Sequence, residues 1–116
     1  MLSDSHKRFG PQADPGLVEW YAAEGEKTPA EVVLALQACL LGEDLTALLP
    51  RISAPTLILA AAQDEITPPE VQHQMAQEIP NASLQTFDGV GHNMKVEIPD
   101  KLARAVRDFV GKIESG

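Results

Sequence analysis

Two short apolar runs, each ending in a polar turn, organise this chain. Residues 56–61, Thr-Leu-Ile-Leu-Ala-Ala, are apolar without alternation. That pattern suits a strand covered on both faces, as in parallel sheets. A second run, Ser83-Leu84-Gln85-Thr86-Phe87, predicts another strand over 83–87. Between them, Thr67-Pro68-Pro69-Glu70 has the residues of a helix start, a capping threonine, proline in the first turn and a following glutamate. It predicts a helix over 68–78. Pro99 opens the last helix, to about 113, with Leu102, Ala103, Val106, Phe109, Val110 and Ile113 at helical spacing on one stripe. Strand, helix, strand, helix is the order of a right-handed parallel unit, and the fold class is α/β.

Upstream, the pattern changes. Residues 1–16 are polar and broken by Gly10, Pro11, Pro15 and Gly16, and they read as a flexible leader without a core of its own. Residues 17–49 read as linking helices. Leu17 to Glu24 is a short one, and Thr28-Pro29-Ala30-Glu31 starts another over 30–41. Val32, Val33, Leu34, Leu36, Leu40 and Leu41 wrap most of that second helix, so it calls for cover on more than one side. Glu43 to Leu49 forms a further short helical turn before Pro50, and residues 50–116 make up the sheet-bearing unit.

Two parallel strands are too few to stand alone. A strand as apolar as 56–61 calls for hydrogen-bonded neighbours on both sides. The pattern therefore predicts part of a larger sheet, completed by further chain, a second copy or a partner.

Charge narrows the partners. Nine Lys and Arg against 17 Asp and Glu give a net charge of −8, which argues against nucleic acid or an anionic membrane. Cys39 is the single cysteine, so no internal disulfide can form. In its apolar run it reads as a small buried hydrophobe rather than a nucleophile. No signal-like opening or membrane-length apolar run is present, which makes the cytoplasm the expected compartment.

The chemistry collects beyond the two strands. Asp64 follows the first run and His92 the second, 28 residues later, the length of one crossover. In an open parallel sheet, reacting groups gather beyond the carboxyl ends of the strands. A histidine can take a proton from a nucleophile and return it to a leaving group, while a carboxylate on its other nitrogen fixes the tautomer. Gly89 and Gly91 free the backbone to turn sharply beside His92.

From about Leu45 to Val110, the chain resembles the C-terminal part of an α/β-hydrolase. The residues that carry the likeness are Leu45, Leu48, Ile52-x-Ala54-Pro55-Thr56-Leu57-Ile58-Leu59, Asp64 with Pro68-Pro69, Ile79-Pro80-x-Ala82, Gly89-x-Gly91-His92, Glu97-x-Pro99 and Phe109. The subfamily impression is of small-ester and enol-lactone hydrolases. The resemblance implies that Asp64 is the triad acid and His92 the general base of an ester or lactone hydrolase that uses no cofactor. Residues 17–49 would then be the end of the cap region.

The third member is missing. A nucleophile elbow reads Gly-x-Ser-x-Gly between a strand and a helix, and no such pentapeptide occurs. Ser3, Ser5, Ser53, Ser83 and Ser115 lack that setting, and there is no His-Gly-Gly-Gly-type oxyanion segment. The isolated chain is expected to be inactive. Its alternative role is that of a non-catalytic module acting through oligomerisation or partner binding at a sheet edge. A third possibility is a split enzyme whose missing half is a separate chain.

Other groups offer less. His73 sits among glutamines on a polar helix and reads as solvated, while His6 lies in the leader. The three histidines are too scattered for a metal site. Gly89-x-Gly91 lacks the third glycine of a dinucleotide loop. Glu97, just before Pro99, reads as a favourable charge at the start of the last helix.

Overall fold

A computed structural model describes residues 5–116. Helix α1 spans Pro15–Glu26, capped by Asp14, whose carboxylate accepts from Gly16 N and Leu17 N. Helix α2 spans Ala30–Leu40. A 3-10 turn at Thr46–Arg51 leads into strand β1, Thr56–Ala61. Helix α3 spans Pro69–Glu78, and strand β2 spans Ala82–Phe87. A single-turn helix α4, Met94–Glu97, precedes α5, Pro99–Ser115. The chain has a partial α/β fold, with two parallel strands and flanking helices, and every element expected over the sheet-bearing unit lies within two residues of its expected bounds.

The strands pair in parallel with Thr56 opposite Ala82 and Ala61 opposite Phe87. Pairing continues past the strand ends. Ala62 N donates to Phe87 O at 2.9 Å and Gln63 N to Val90 O at 3.0 Å. This extension holds the two following loops in register, so Asp64 and His92 leave the sheet at the same end.

Helix α3 packs on the strands. Ile58, Ala60 and Ala61 of β1 are buried, whereas Leu57 and Leu59 are half-covered and no residue of β2 is buried. The expected cover on both faces of β1 is therefore incomplete. Between the strands and α5 lies a groove of about 680 Å³, whose lining includes Leu57, Leu84, Phe109 and Ile113. Val106, Val110 and Ile113 of the α5 stripe remain substantially exposed. Each strand also keeps one unpaired edge, because the sheet among the described residues has two strands only.

Helix α2 departs further from expectation. None of its residues is buried, and Leu36, Leu40 and Leu41 are 62%, 73% and 80% exposed. Cys39 is exposed as well, contrary to its reading as a buried hydrophobe. The reason is common to both. An apolar run buries itself only where a neighbouring element is present, and among the described residues α1 only half-covers Val33 and leaves the rest of this helix bare. Thr28 does not cap it either: Pro29 occupies the cap position without a side-chain hydrogen bond.

The leader also differs from its expected character over the residues described. Phe9 is buried, and its ring meets Tyr21 of α1 edge-on with centroids 5.4 Å apart. Edge-to-face pairs of this kind contribute about 0.5–1.5 kcal/mol beyond area burial. Gly10 and Gly91 make the approach possible, because a Cβ on Gly10 would overlap Gly89 O and one on Gly91 would overlap the Phe9 backbone. A composition rich in glycine and proline suggested looseness, whereas here the glycine permits close packing. Residues 1–4, with Ser3, lie outside the described residues.

Candidate active site

Past β1 the chain turns at residues 62–67, and Asp64 is buried at that turn. Its Oδ1 accepts from Ile66 N and Thr67 N, both at 2.9 Å. Its Oδ2 accepts from the Thr67 hydroxyl at 3.0 Å. Thr67 was expected to cap the following helix. Instead its hydroxyl turns back to the carboxylate, and Pro68 takes the cap position of α3 without a side-chain bond. An Asx-type turn of this sort lets an aspartate bond backbone amides two and three residues on. The capping signature and the Asp64 clamp draw on the same residue types, and only the fold distinguishes them.

His92 follows β2 on the loop 88–93, where Gly89 adopts φ = +73°, a left-handed conformation that suits glycine. Its Nδ1 lies 3.1 Å from Asp64 Oδ2 and 3.2 Å from Oδ1. An ionised carboxylate can only accept, so Nδ1 carries the proton. The Thr67 hydroxyl lies 3.4 Å from the same nitrogen. Nε2 makes no hydrogen bond among the described residues. The Asp64 side chain is 7% exposed and that of His92 30%, so the acid is enclosed while the imidazole reaches solvent.

Burial alone would raise the Asp64 pKa. The hydrogen bonds from Thr67 N, His92, Ile66 N and the Thr67 hydroxyl outweigh it and hold the carboxyl below its ordinary value. Asp64 therefore stays ionised across the neutral range, a fixed negative charge against the imidazole.

A second carboxylate shapes the same loop. Glu97 Oε1 accepts from Gly10 N and Oε2 from Gly91 N, both at 2.9 Å. Asn93 N donates to Arg8 O at 2.8 Å. The charge at Glu97 thus serves these two amides rather than the start of α5. Gly91 is only six residues away but Gly10 is 87, and spacing alone gave no signal of either bond. Thr67 was legible in part, as a polar side chain three residues after an acid in a turn.

Of the residues singled out in the sequence, the fold brings Asp64, His92 and Thr67 together, with Glu97 on the histidine loop, and leaves the other histidines apart. His73 is exposed on α3, and His6 is exposed near the N-terminus. No group of three or more histidine, cysteine or acidic side chains gathers at metal-binding distance among the described residues. No helix among them is long and apolar enough to cross a membrane.

Residues 11–99 match the family described as serine aminopeptidase, S33. The chain belongs to this α/β-hydrolase family. It is 34% identical over 82 residues, 71% of its length, to the putative carbamate hydrolase RutD of Caulobacter vibrioides. Among solved structures, an esterase from Exiguobacterium antarcticum superposes on 94% of the chain with a TM-score of 0.84 at 23% identity, a likeness of fold. A thermophilic esterase from Thermogutta terrifontis matches 60% of the chain at 37% identity and a TM-score of 0.58. The chain spans 30% of the RutD sequence, and 41% and 26% of the two esterases.

Proposed function

We propose that this chain supplies the acid and the base of a serine-type α/β-hydrolase acting on carboxylic esters or lactones. The observation that carries the reading is the contact of His92 Nδ1 with the buried Asp64 carboxylate at 3.1 Å, which leaves Nε2 available. In the complete reaction, a serine hydroxyl brought by further polypeptide attacks the acyl carbon, and its proton passes to His92 Nε2. The imidazolium then protonates the departing alkoxide, releasing alcohol and leaving an acyl-serine. Water repeats the sequence: Nε2 takes its proton, the hydroxide attacks the acyl carbon, and the proton returns to serine as the acid leaves. Asp64 stabilises the imidazolium in both halves without itself being protonated.

The uncovered surfaces support this reading. Among the described residues both strands have an open edge, an apolar groove lies beside α5, and buried Asn93 Nδ2 has no hydrogen-bond partner. Further hydrolase core would satisfy all three. The carbamate-hydrolase name of one relative extends the candidate substrates to acyl groups bonded to nitrogen, which the same acid and base would serve.

A second reading rests on the bare face of α2 and the open edges: a non-catalytic module that uses them to bind a second copy or another chain. One assay separates the two. The purified chain is tested against p-nitrophenyl esters, alone and mixed with the part of the Exiguobacterium antarcticum esterase that the superposition leaves uncovered. The catalytic reading expects background hydrolysis alone and turnover on mixing that His92→Ala abolishes. Turnover unaffected by that substitution removes His92 from its role. Self-association of the chain, with no turnover in any mixture, favours the module.

A further inference from the structure

Glu97 sits six residues beyond Gly91 and 87 beyond Gly10, yet its two oxygens divide between those two amides, each at 2.9 Å. Around this bridge the segment 8–10 is pressed against the histidine loop. Asn93 N, immediately after His92, donates to Arg8 O at 2.8 Å. Glycine is required on both sides, since a Cβ at Gly10 would meet Gly89 O and Val90, and one at Gly91 would meet Phe9 and Gly10. The loop that carries the imidazole is thus gripped on both sides of His92 by a strand of chain from the far end of the sequence.

Resting on the assignment of His92 as the base, we propose that Glu97 is a positioning residue. Its carboxylate latches segment 8–10 onto the loop 89–93 and so sets the orientation in which His92 presents Nδ1 to Asp64. A carboxylate suits the task because it alone offers two charged acceptors to two backbone donors that would otherwise be left without partners. The short helix α4 serves as the spacer. Val96 N and Glu97 N both donate to Asn93 O, and this turn brings the Glu97 side chain back over Gly91. The latch also links the base to the helical pair. Arg8 lines the cavity of about 650 Å³ between α1 and α2, and Phe9 touches Tyr21, which lines it too. Displacement of that segment is transmitted to the imidazole through two hydrogen bonds and the glycine contacts.

The test is Glu97→Gln in the 116-residue chain, with imidazole nitrogen shifts and amide exchange read by NMR. Glutamine keeps one acceptor oxygen and sets a donor against the other amide. The expected result is roughly ten- to hundredfold faster exchange at Gly10 or Gly91, the loss of a charge-assisted bond, with a changed His92 Nδ1–H signature. Ala105→Gly, which weakens α5 at a buried position away from the latch, serves as the control. A merely structural role would lower the melting temperature in both variants and leave the imidazole signature alike in both, and that outcome overturns the proposal. Asp64→Asn separates failure of the latch from failure of the dyad. If the dyad reading is wrong, the wild-type imidazole shows no Nδ1–H and does not respond to Asp64→Asn. If only the latch is wrong, it responds to Asp64→Asn and not to Glu97→Gln. Should Glu97→Gln not fold, exchange of the wild-type chain in mild urea decides. The Gly10 and Gly91 amides and the His92 Nδ1 proton must then open together, and independent opening overturns the assignment.

Discussion

Replacing Asp64 with asparagine changes one oxygen into an NH₂ group at nearly constant shape, which makes it a searching test of the site. The asparagine oxygen can still accept from Ile66 N and Thr67 N, both 2.9 Å from Oδ1. The new Nδ2 faces the Thr67 hydroxyl and His92 Nδ1, at 3.0 and 3.1 Å from the oxygen it replaces. The hydroxyl can rotate and accept. The imidazole can only answer a donor by giving up its Nδ1 proton, so the tautomer inverts and Nε2 becomes the protonated nitrogen. The stability cost is the difference between charge-assisted and neutral hydrogen bonds, about 1–2 kcal/mol at neutral pH. Under the proposed function the cost to catalysis is larger, because the nitrogen assigned to accept a proton would then carry one. In a completed enzyme that substitution is expected to lower kcat by about 10⁴-fold.

The pH dependence follows from the lowered Asp64 pKa. A carboxyl whose pKa is depressed by folding contributes stability that is fully present above its unfolded value, near pH 4. That contribution fades as the pH falls through the lower folded value. Wild-type and Asp64→Asn chains should therefore differ in chemical denaturation at pH 7 and converge toward pH 2. Imidazole nitrogen shifts give the tautomer independently. A variant that keeps its Nδ1–H, or a stability gap as wide at pH 2 as at pH 7, would refute the reasoning.

Four other outcomes are expected. Gly91→Ala forces a methyl into the Phe9–Gly10 backbone and should cost about 1–3 kcal/mol in chemical denaturation, whereas exposed Gly25→Ala in α1 should be neutral or stabilising. Thr67→Val removes the hydroxyl from Asp64 Oδ2 and should cost about 0.5–1.5 kcal/mol while raising the carboxyl pKa, which carboxyl-carbon NMR titration would record. Cys39 should react with a thiol reagent in the folded chain as readily as a free thiol, and Cys39→Ser should shift stability by less than about 0.5 kcal/mol. Leu36, Leu40 and Leu41 would each gain about 1.5–3 kcal/mol on full burial, so light scattering should detect concentration-dependent association that Leu40→Glu weakens.

Local pattern was enough for the elements and for setting Asp64 and His92 at the same end of the sheet. A continuous apolar run, a proline-led helix and a second run over 56–87 specify a parallel unit, since period, breakers and crossover length are properties of neighbouring residues. Asp64 and His92 stand at the ends of those runs, and the common end of a parallel pair follows from direction alone. What the sequence could not declare were contacts between distant segments. Thr67 had two uses open to it, helix cap or carboxylate donor, and the turn geometry chose the second. Glu97 and Gly10 meet across 87 residues, and no period or spacing encodes such a meeting. Burial is likewise a property of neighbours: Leu36 and Leu40 of α2 remain exposed because no described element covers that face, and Phe9 is buried because Gly91 lets the backbone close over it. Sequence determined which stretches fold and which polar side chains stand at their ends, while packing alone decided what each side chain meets.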